Sequence, residues 1–465
     1  MRSRFSRSTL RTSALLAAVG VFAFSGPTAP AAAQSLVPPP LDLSQRTGSE
    51  VAQRNYPQKQ ACMQGNPGGG MIEEKPWSQR VLGYERAHEQ GLLGQGKTVA
   101  VIDTGVNTHP RLPNLRDGGS SVPKGGALTD CDGHGTIVAG IIAAAPDPTN
   151  QTAYVGVAPE ASILSIRQSS SLFIEDETNK TIGDTETMAQ AINKATKEGA
   201  DVINISQSSC QPISQAADAR NRGNQQLQTA VKEAYEAGIV IVVAAGNVGG
   251  TCQKNPTGSP TTAVLPAWFD DYVLTVASVN EQGAPSEFTV PGPWVDVAAP
   301  GQNLITLDPG ANGTGLASQI AHGQDGQMGP IEGTSFAAPY VAGLAVLIKE
   351  KFEKEGKPLT AEQIMDRIKE TALPAGGAGG RNDIVGYGTV DAAAALGEVV
   401  PSEWPGYKEP QQKQARLGAD VIPQKDYPAL IIAIGGAGAG IAAIVFTAFL
   451  TNAVRNVRAR TRGNR

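Results

Sequence analysis

The sequence predicts an α/β protein: a doubly wound, mostly parallel sheet with helices on both faces, plus one C-terminal transmembrane helix. Two observations carry the sheet. Short Val/Ile-rich runs recur along the body of the chain, and amphipathic stretches of helical length separate them. A third carries the membrane helix, because residues 429–450 hold no charged side chain and suffice to cross a bilayer. At 40% apolar and 17% charged residues, the chain has material for a core and is not a disordered one.

Residues 1–33 open with Arg2, Arg4, Arg7 and Arg11, continue with an apolar run from Ala14 to Phe24 and close on Ala31, Ala32 and Ala33. Basic, apolar, small is the order of a secretory signal peptide. Residues 34–75, rich in Pro, Gln, Gly and Asn, read as an extended N-terminal arm. The folded domain spans 76–400. Its first stretch, RVLGYERAHEQG, reads as helix and leads into the strand KTVAVIDTG. ASILSIRQ, a helix from Thr187 to Glu198, ADVINIS, a helix from Gln226 to Ala237, IVIVVAAGN and YVLTVASVN follow. The polar stretch from Gln168 to Thr185 reads as an inserted loop. Residues 401–428 hold five prolines and read as a linker.

The transmembrane helix is expected over 429–451, and 452–465 forms a basic tail. Five Arg there place the tail in the cytoplasm and the domain outside, on the periplasmic or extracellular side of the cell membrane. With nine Arg at the two ends, the body between them is more acidic than the chain's net −5. Such a body is a poor partner for nucleic acid.

Gly91 to Thr98 spells GLLGQGKT, which fits the phosphate-binding pattern G-x-x-x-x-G-K-[ST]. That loop must follow a strand and open a helix, whereas here a strand follows it, so it reads as a turn. The four cysteines, Cys62, Cys131, Cys210 and Cys252, all lie in the exported body and suggest two disulfides, with three pairings possible. Cys210 and Cys252 each follow one of two successive strands, which favours Cys210–Cys252 and, by exclusion, Cys62–Cys131.

Three further motifs carry chemistry. Asp103 ends the strand VAVID, His134 sits in DGHGTIVAG between Gly133 and Gly135, and Ser335 sits in GTSFAAPYVAG at the mouth of an apolar helix. Taken singly, each has a plainer reading: a cap, a structural histidine, a helix N-cap. Together they supply an acid, a base and a nucleophile in the chain order Asp, His, Ser. VIDTGV, DGHGTIVAG, AAGN and GTSFAAPYVAG resemble the signature blocks of the subtilisin-like serine proteases, from about Trp77 to Val400. The whole layout resembles the mycosins, membrane-anchored members associated with type VII secretion in mycobacteria and related actinobacteria.

The resemblance implies a subtilisin-like fold and a serine endopeptidase that hydrolyses peptide bonds of exported proteins. It implies Ser335 as nucleophile, His134 as general base, Asp103 as the residue orienting the imidazole, and Asn247 of AAGN as the oxyanion-hole donor. No cofactor and no metal are expected, and Glu175, Asp176 and Glu177 read as a solvated acidic run rather than a calcium site. The implied partners are a type VII secretion membrane complex and secreted protein substrates. The alternative is a structural subunit that stabilises the complex, with proteolysis secondary. Two departures bear on the substrate wall: the polar insertion from Gln168 to Thr185, where the family's substrate-binding edge would begin, and the turn after the strand ADVINIS. Where the family continues Ser-Leu-Gly-Gly after the strand ADVINIS, this chain has Ser206, Gln207, Ser208 and Ser209.

Overall fold

The computed structural model of the chain describes residues 37–65, 72–322, 327–377, 380–400, 403 and 440–456. The chain divides into two units, 1–403 and 404–465.

In the first unit a nine-stranded sheet comprises β1 (Thr98–Asp103), β2 (Leu115–Ser120), β3 (Ser162–Arg167), β4 (Val202–Ile205), β5 (Val240–Ala244), β6 (Leu274–Val279), β7 (Val297–Pro300), β8 (Leu373–Pro374) and β9 (Gly388–Thr389). The spatial order is β8-β9-β7-β6-β5-β4-β1-β3-β2. Every neighbouring pair is parallel except β8 with β9. Five longer helices cover it: α1 (His134–Ala143), α2 (Thr185–Lys197), α3 (Arg222–Glu236), α4 (Thr334–Lys354) and α5 (Ala361–Glu370).

The apolar runs are continuous because these strands are buried on both faces. In β1, Val99 and Val101 pack with α1 and α4 through Ile137, Ile141, Val341 and Leu344. The alternate residues Ala100 and Ile102 pack with α2 and α3 through Met188, Ile192, Leu227 and Val231. The strand order reverses at β1, whose neighbours are β3 on one side and β4 on the other. A crevice at the carboxyl ends of such a pair is where doubly wound sheets bind their ligands.

Several boundaries differ from the sequence reading. RVLGYERAHEQG forms two short helices, Trp77–Leu82 and Glu85–Glu89, because Gly83 takes φ 59° and ends the first. Helix α2 starts two residues earlier than expected, since the Asp184 carboxylate accepts from the Thr187 N–H at 2.8 Å. Asn221 likewise caps α3 ahead of its apolar pattern. The inserted stretch after Gln168 is not simply a loop. Ser170–Ile174 pairs with Thr181–Ile182, and Leu172, Phe173 and Ile182 are buried. The Arg167 guanidinium covers the Phe173 ring.

The arm, from 37 to 65, crosses α2 and α3. The Ala52 N–H donates to Gln190, the Asp42 N–H donates to Gln225, and Asn193 and Gln228 donate to the carbonyls of Thr47 and Pro39. Disulfides join Cys62 to Cys131 and Cys210 to Cys252, the pairing expected. GLLGQGKT runs into β1, with Gly94 packed on Ala158 and Val346, as its reading as a turn requires. The unit runs on to Glu403, whose carboxylate takes both Nε and Nη2 of the buried Arg367.

In the second unit, residues 440–456 are helical and expose Ile441, Ile444, Val445, Phe446 and Phe449. No helix among the described residues is long and apolar enough to cross a membrane. The expected signal peptide, and residues 429–439 of the expected span, lie outside the described residues.

Candidate active site

The structure brings all four sequence-selected residues to the carboxyl edge of β1 and its surroundings. Asp103 is the last residue of β1 and is fully buried. Its Oδ1 lies 2.7 Å from His134 Nδ1 and accepts the Thr104 N–H at 2.7 Å. An imidazole held at Nδ1 by a carboxylate carries its proton there and leaves Nε2 as an acceptor. His134 keeps a fifth of its side chain exposed. Burial pulls its pKa down, but Asp103, Asp130 and Asp132 outweigh that, so the pKa stands above the ordinary histidine value.

Two glycines let the backbones of β1 and α1 meet. A Cβ on Gly135 would lie 2.0 Å from the Gly105 carbonyl oxygen, and one on Gly105 would lie 2.3 Å from that of Thr129. Gly133, ahead of His134, takes φ 80°.

Ser335 is the second residue of α4, after Gly333 at φ 147°. The next side chain, Phe336, packs its ring on the His134 imidazole with centroids 4.8 Å apart. Among the described residues no hydrogen bond joins His134 Nε2 to the Ser335 hydroxyl, and such bonds commonly close only when substrate arrives. Asn247 follows β5. Its Oδ1 accepts both the N–H and the hydroxyl of Thr334, at 2.9 and 3.0 Å. With the oxygen so engaged, the amide NH2 is left as the donor, and it has no hydrogen-bond partner among the described residues.

Sequence reasoning missed the residues that hold these four. Asp130 is buried and accepts four hydrogen bonds. Oδ1 takes the Thr104 hydroxyl and the Gly133 N–H, both at 2.8 Å, while Oδ2 takes the Thr136 N–H at 2.8 Å and its hydroxyl at 2.7 Å. One carboxylate thus ties the residue after Asp103 to the residues flanking His134. Burial and Asp132 push its pKa up to about 6 against the pull of Thr136 and Thr104. Its signal in the sequence is an acid four residues before the histidine. Pro339 lies inside α4 and has no N–H for the Ser335 carbonyl, so the Ser206 hydroxyl donates to that carbonyl at 2.6 Å instead. Asn204 in turn donates to Ser206 at 2.9 Å. No group of His, Cys, Asp and Glu able to hold a metal occurs among the described residues.

Residues 94–388 match the subtilase family. Over 97% of this chain and 98% of the other, the sequence is 41% identical to mycosin-4 of Mycobacterium tuberculosis. The chain belongs to the mycosins.

As a mycosin it is a subtilisin-like serine peptidase. It is 39% identical to mycosin-1 of the same organism over 84% of this chain and 88% of that one. The crystal structure of MycP1 from the ESX-1 type VII secretion system superposes with a TM-score of 0.69 at 36% identity, covering 80% of this mycosin and 98% of that chain. A chain in the structure of an intact ESX-5 inner membrane complex superposes with a TM-score of 0.70 at 36% identity, covering 89% and 99%.

Proposed function

We propose that this mycosin is a membrane-anchored serine endopeptidase of a type VII secretion membrane complex, acting on exported proteins outside the cell membrane. Asp103, His134 and Ser335 form its triad, and Asn247 completes the oxyanion hole. The observation that carries this reading is the buried Asp103 carboxylate 2.7 Å from His134 Nδ1, with that imidazole packed on the residue after Ser335. Ser335 Oγ attacks the peptide carbonyl carbon while His134 Nε2 takes its proton, and the proton then passes to the leaving amine. Asp103 holds the imidazole with Nε2 free and stabilises the imidazolium. The Asn247 amide and the Ser335 N–H donate to the oxyanion. Water deacylates the enzyme by the same steps in reverse.

The layout behind this reading is a signal peptide at 1–33, an arm at 34–75 that is retained after export, the catalytic domain at 76–400, a linker at 401–428, a span at 429–451 and a cytoplasmic tail at 452–465. The apolar side chains exposed along 440–456 support the anchor. The resemblance to a chain of the ESX-5 inner membrane complex supports the partner, and it also favours a second reading, a structural subunit with proteolysis secondary.

A fluorophosphonate probe applied to the full chain is expected to label Ser335 and to lose the label in Ser335→Ala. Labelling elsewhere, or none, overturns the triad. Complementing a deletion strain with Ser335→Ala separates the two readings. Restored secretion with an intact complex favours the structural subunit, and failure at normal protein level makes proteolysis the essential act.

A further inference from the structure

The turn after β4 departs from the family's Ser-Leu-Gly-Gly, and its second residue reaches the acid of the proposed triad. Gln207 Nε2 lies 3.4 Å from Asp103 Oδ1. That oxygen already receives His134 Nδ1 and the Thr104 N–H, whereas the buried Oδ2 has no hydrogen-bond partner among the described residues. The preceding residue, Ser206, donates to the Ser335 carbonyl. Two consecutive residues of one turn therefore touch the acid and the nucleophile residue. Gln207 also lines a cleft of about 690 Å³ together with Ser208, Ser209 and Met188. A leucine in its place would offer the carboxylate no donor.

We propose that Gln207 is a positioning residue for the Asp103–His134 pair, donating its side-chain amide to Asp103 from the substrate wall. The inference rests on the triad proposed above. An N–H dipole aimed at a carboxylate spreads its negative charge and puts positive potential near the neighbouring imidazole. The amide thus tempers the basicity that Asp103 confers on His134. The charged groups facing the imidazole are Asp103 from β1 and Asp130 and Asp132 from the loop before α1, while α4 contributes the apolar Phe336. With three carboxylates around it and no cation among these groups, the ring has its basicity restrained by neutral donors such as Gln207.

The test is a histidine ring titration in the full chain, labelled at histidine Cε1 and followed by NMR. The chain has only four histidines, and the His134 resonance is assigned by its disappearance in His134→Gln. Gln207→Leu and Gln207→Asn both remove the reach to Asp103, the second while keeping a polar side chain. Both are expected to raise the His134 pKa by roughly half a unit. Ser208→Ala, one residue on, is the control and should leave it in place. A His134 pKa unchanged in both Gln207 variants overturns the inference, and so does an equal shift in Ser208→Ala. The titration needs no turnover, so its outcome stands whether or not the fluorophosphonate labels Ser335.

Discussion

The edge that carries Asp103, His134 and Ser335 and the arm that crosses α2 and α3 are held by opposite means. At the edge, charge is buried and shared. Asp130 serves four donors, and Asp103 is fully enclosed. Along the arm, charge is exposed and paired across the surface, as in Arg46 with Glu233 and Arg54 with Asp184 and Glu186. The Arg46 side chain is 65% exposed. Removing one member of a buried network strands its partners without water, whereas an exposed pair loses little more than it regains from solvent. The edge should therefore be brittle and the arm forgiving, except where Cys62–Cys131 ties one to the other.

The largest effect is expected from Asp130→Asn. The new NH2 must face either the Gly133 N–H or the Thr136 N–H, and a backbone N–H cannot turn round to accept. A stability loss of about 2–3 kcal/mol and a fall in kcat/KM of about a hundredfold or more should follow, read by denaturant unfolding and peptide cleavage. Parent-like values for both would show that the edge is not brittle.

The pH response of the edge comes next. General-base action needs a neutral imidazole, and the His134 pKa is raised despite burial because Asp103, Asp130 and Asp132 surround it. The acid limb of kcat/KM should accordingly lie above the ordinary histidine value of about 6.5. For stability the sign is the reverse. A raised folded-state pKa favours the fold fully below the unfolded value, and that contribution is lost as pH rises through the folded one. An acid limb centred well below 6.5 would contradict the carboxylate cluster.

Replacing Cys62 and Cys131 together by serine probes the junction. The bridge spans 69 residues of sequence. Chain entropy assigns such a loop about 4 kcal/mol, so thermal stability should drop and the arm should become open to limited proteolysis. Cleavage activity should persist below the new midpoint. A rise in activity would instead make the arm an inhibitor. The smallest effect belongs to Arg46→Ala and Arg54→Ala, each expected to change stability by less than about 0.5 kcal/mol. A loss several times larger in either would erase the contrast.

The parallel sheet was legible because doubly buried strands leave unbroken apolar runs, and VAVI and IVIVV could hardly be anything else. Asp103, His134 and Ser335 were legible because glycine punctuates each: Gly105, Gly133, Gly135 and Gly333 mark backbones that must turn sharply or approach closely, whereas Asn247 came only with the family resemblance. The supports were not. Asp130, Ser206, Gln207 and Thr334 act through side-chain contacts between segments distant in the chain, and no local period announces such contacts. The hairpin after Gln168 hid for a related reason. Its buried Phe173 takes part of its cover from Arg167, Val122 and the arm's Tyr56 and Cys62, outside the hairpin itself.

The contact between Gly135 and Gly105 reaches into heredity. With only 2.0 Å between a would-be Cβ and a carbonyl oxygen, the space at Gly135 admits hydrogen alone. Every missense change in that codon, at its first or second base, introduces a carbon atom there. The position has no neutral neighbour in sequence space, and no change at Gly105 can compensate, because the obstructing atom belongs to the main chain. A mutagenised library should therefore show glycine at position 135 in every active survivor, while positions 46 and 54 vary freely.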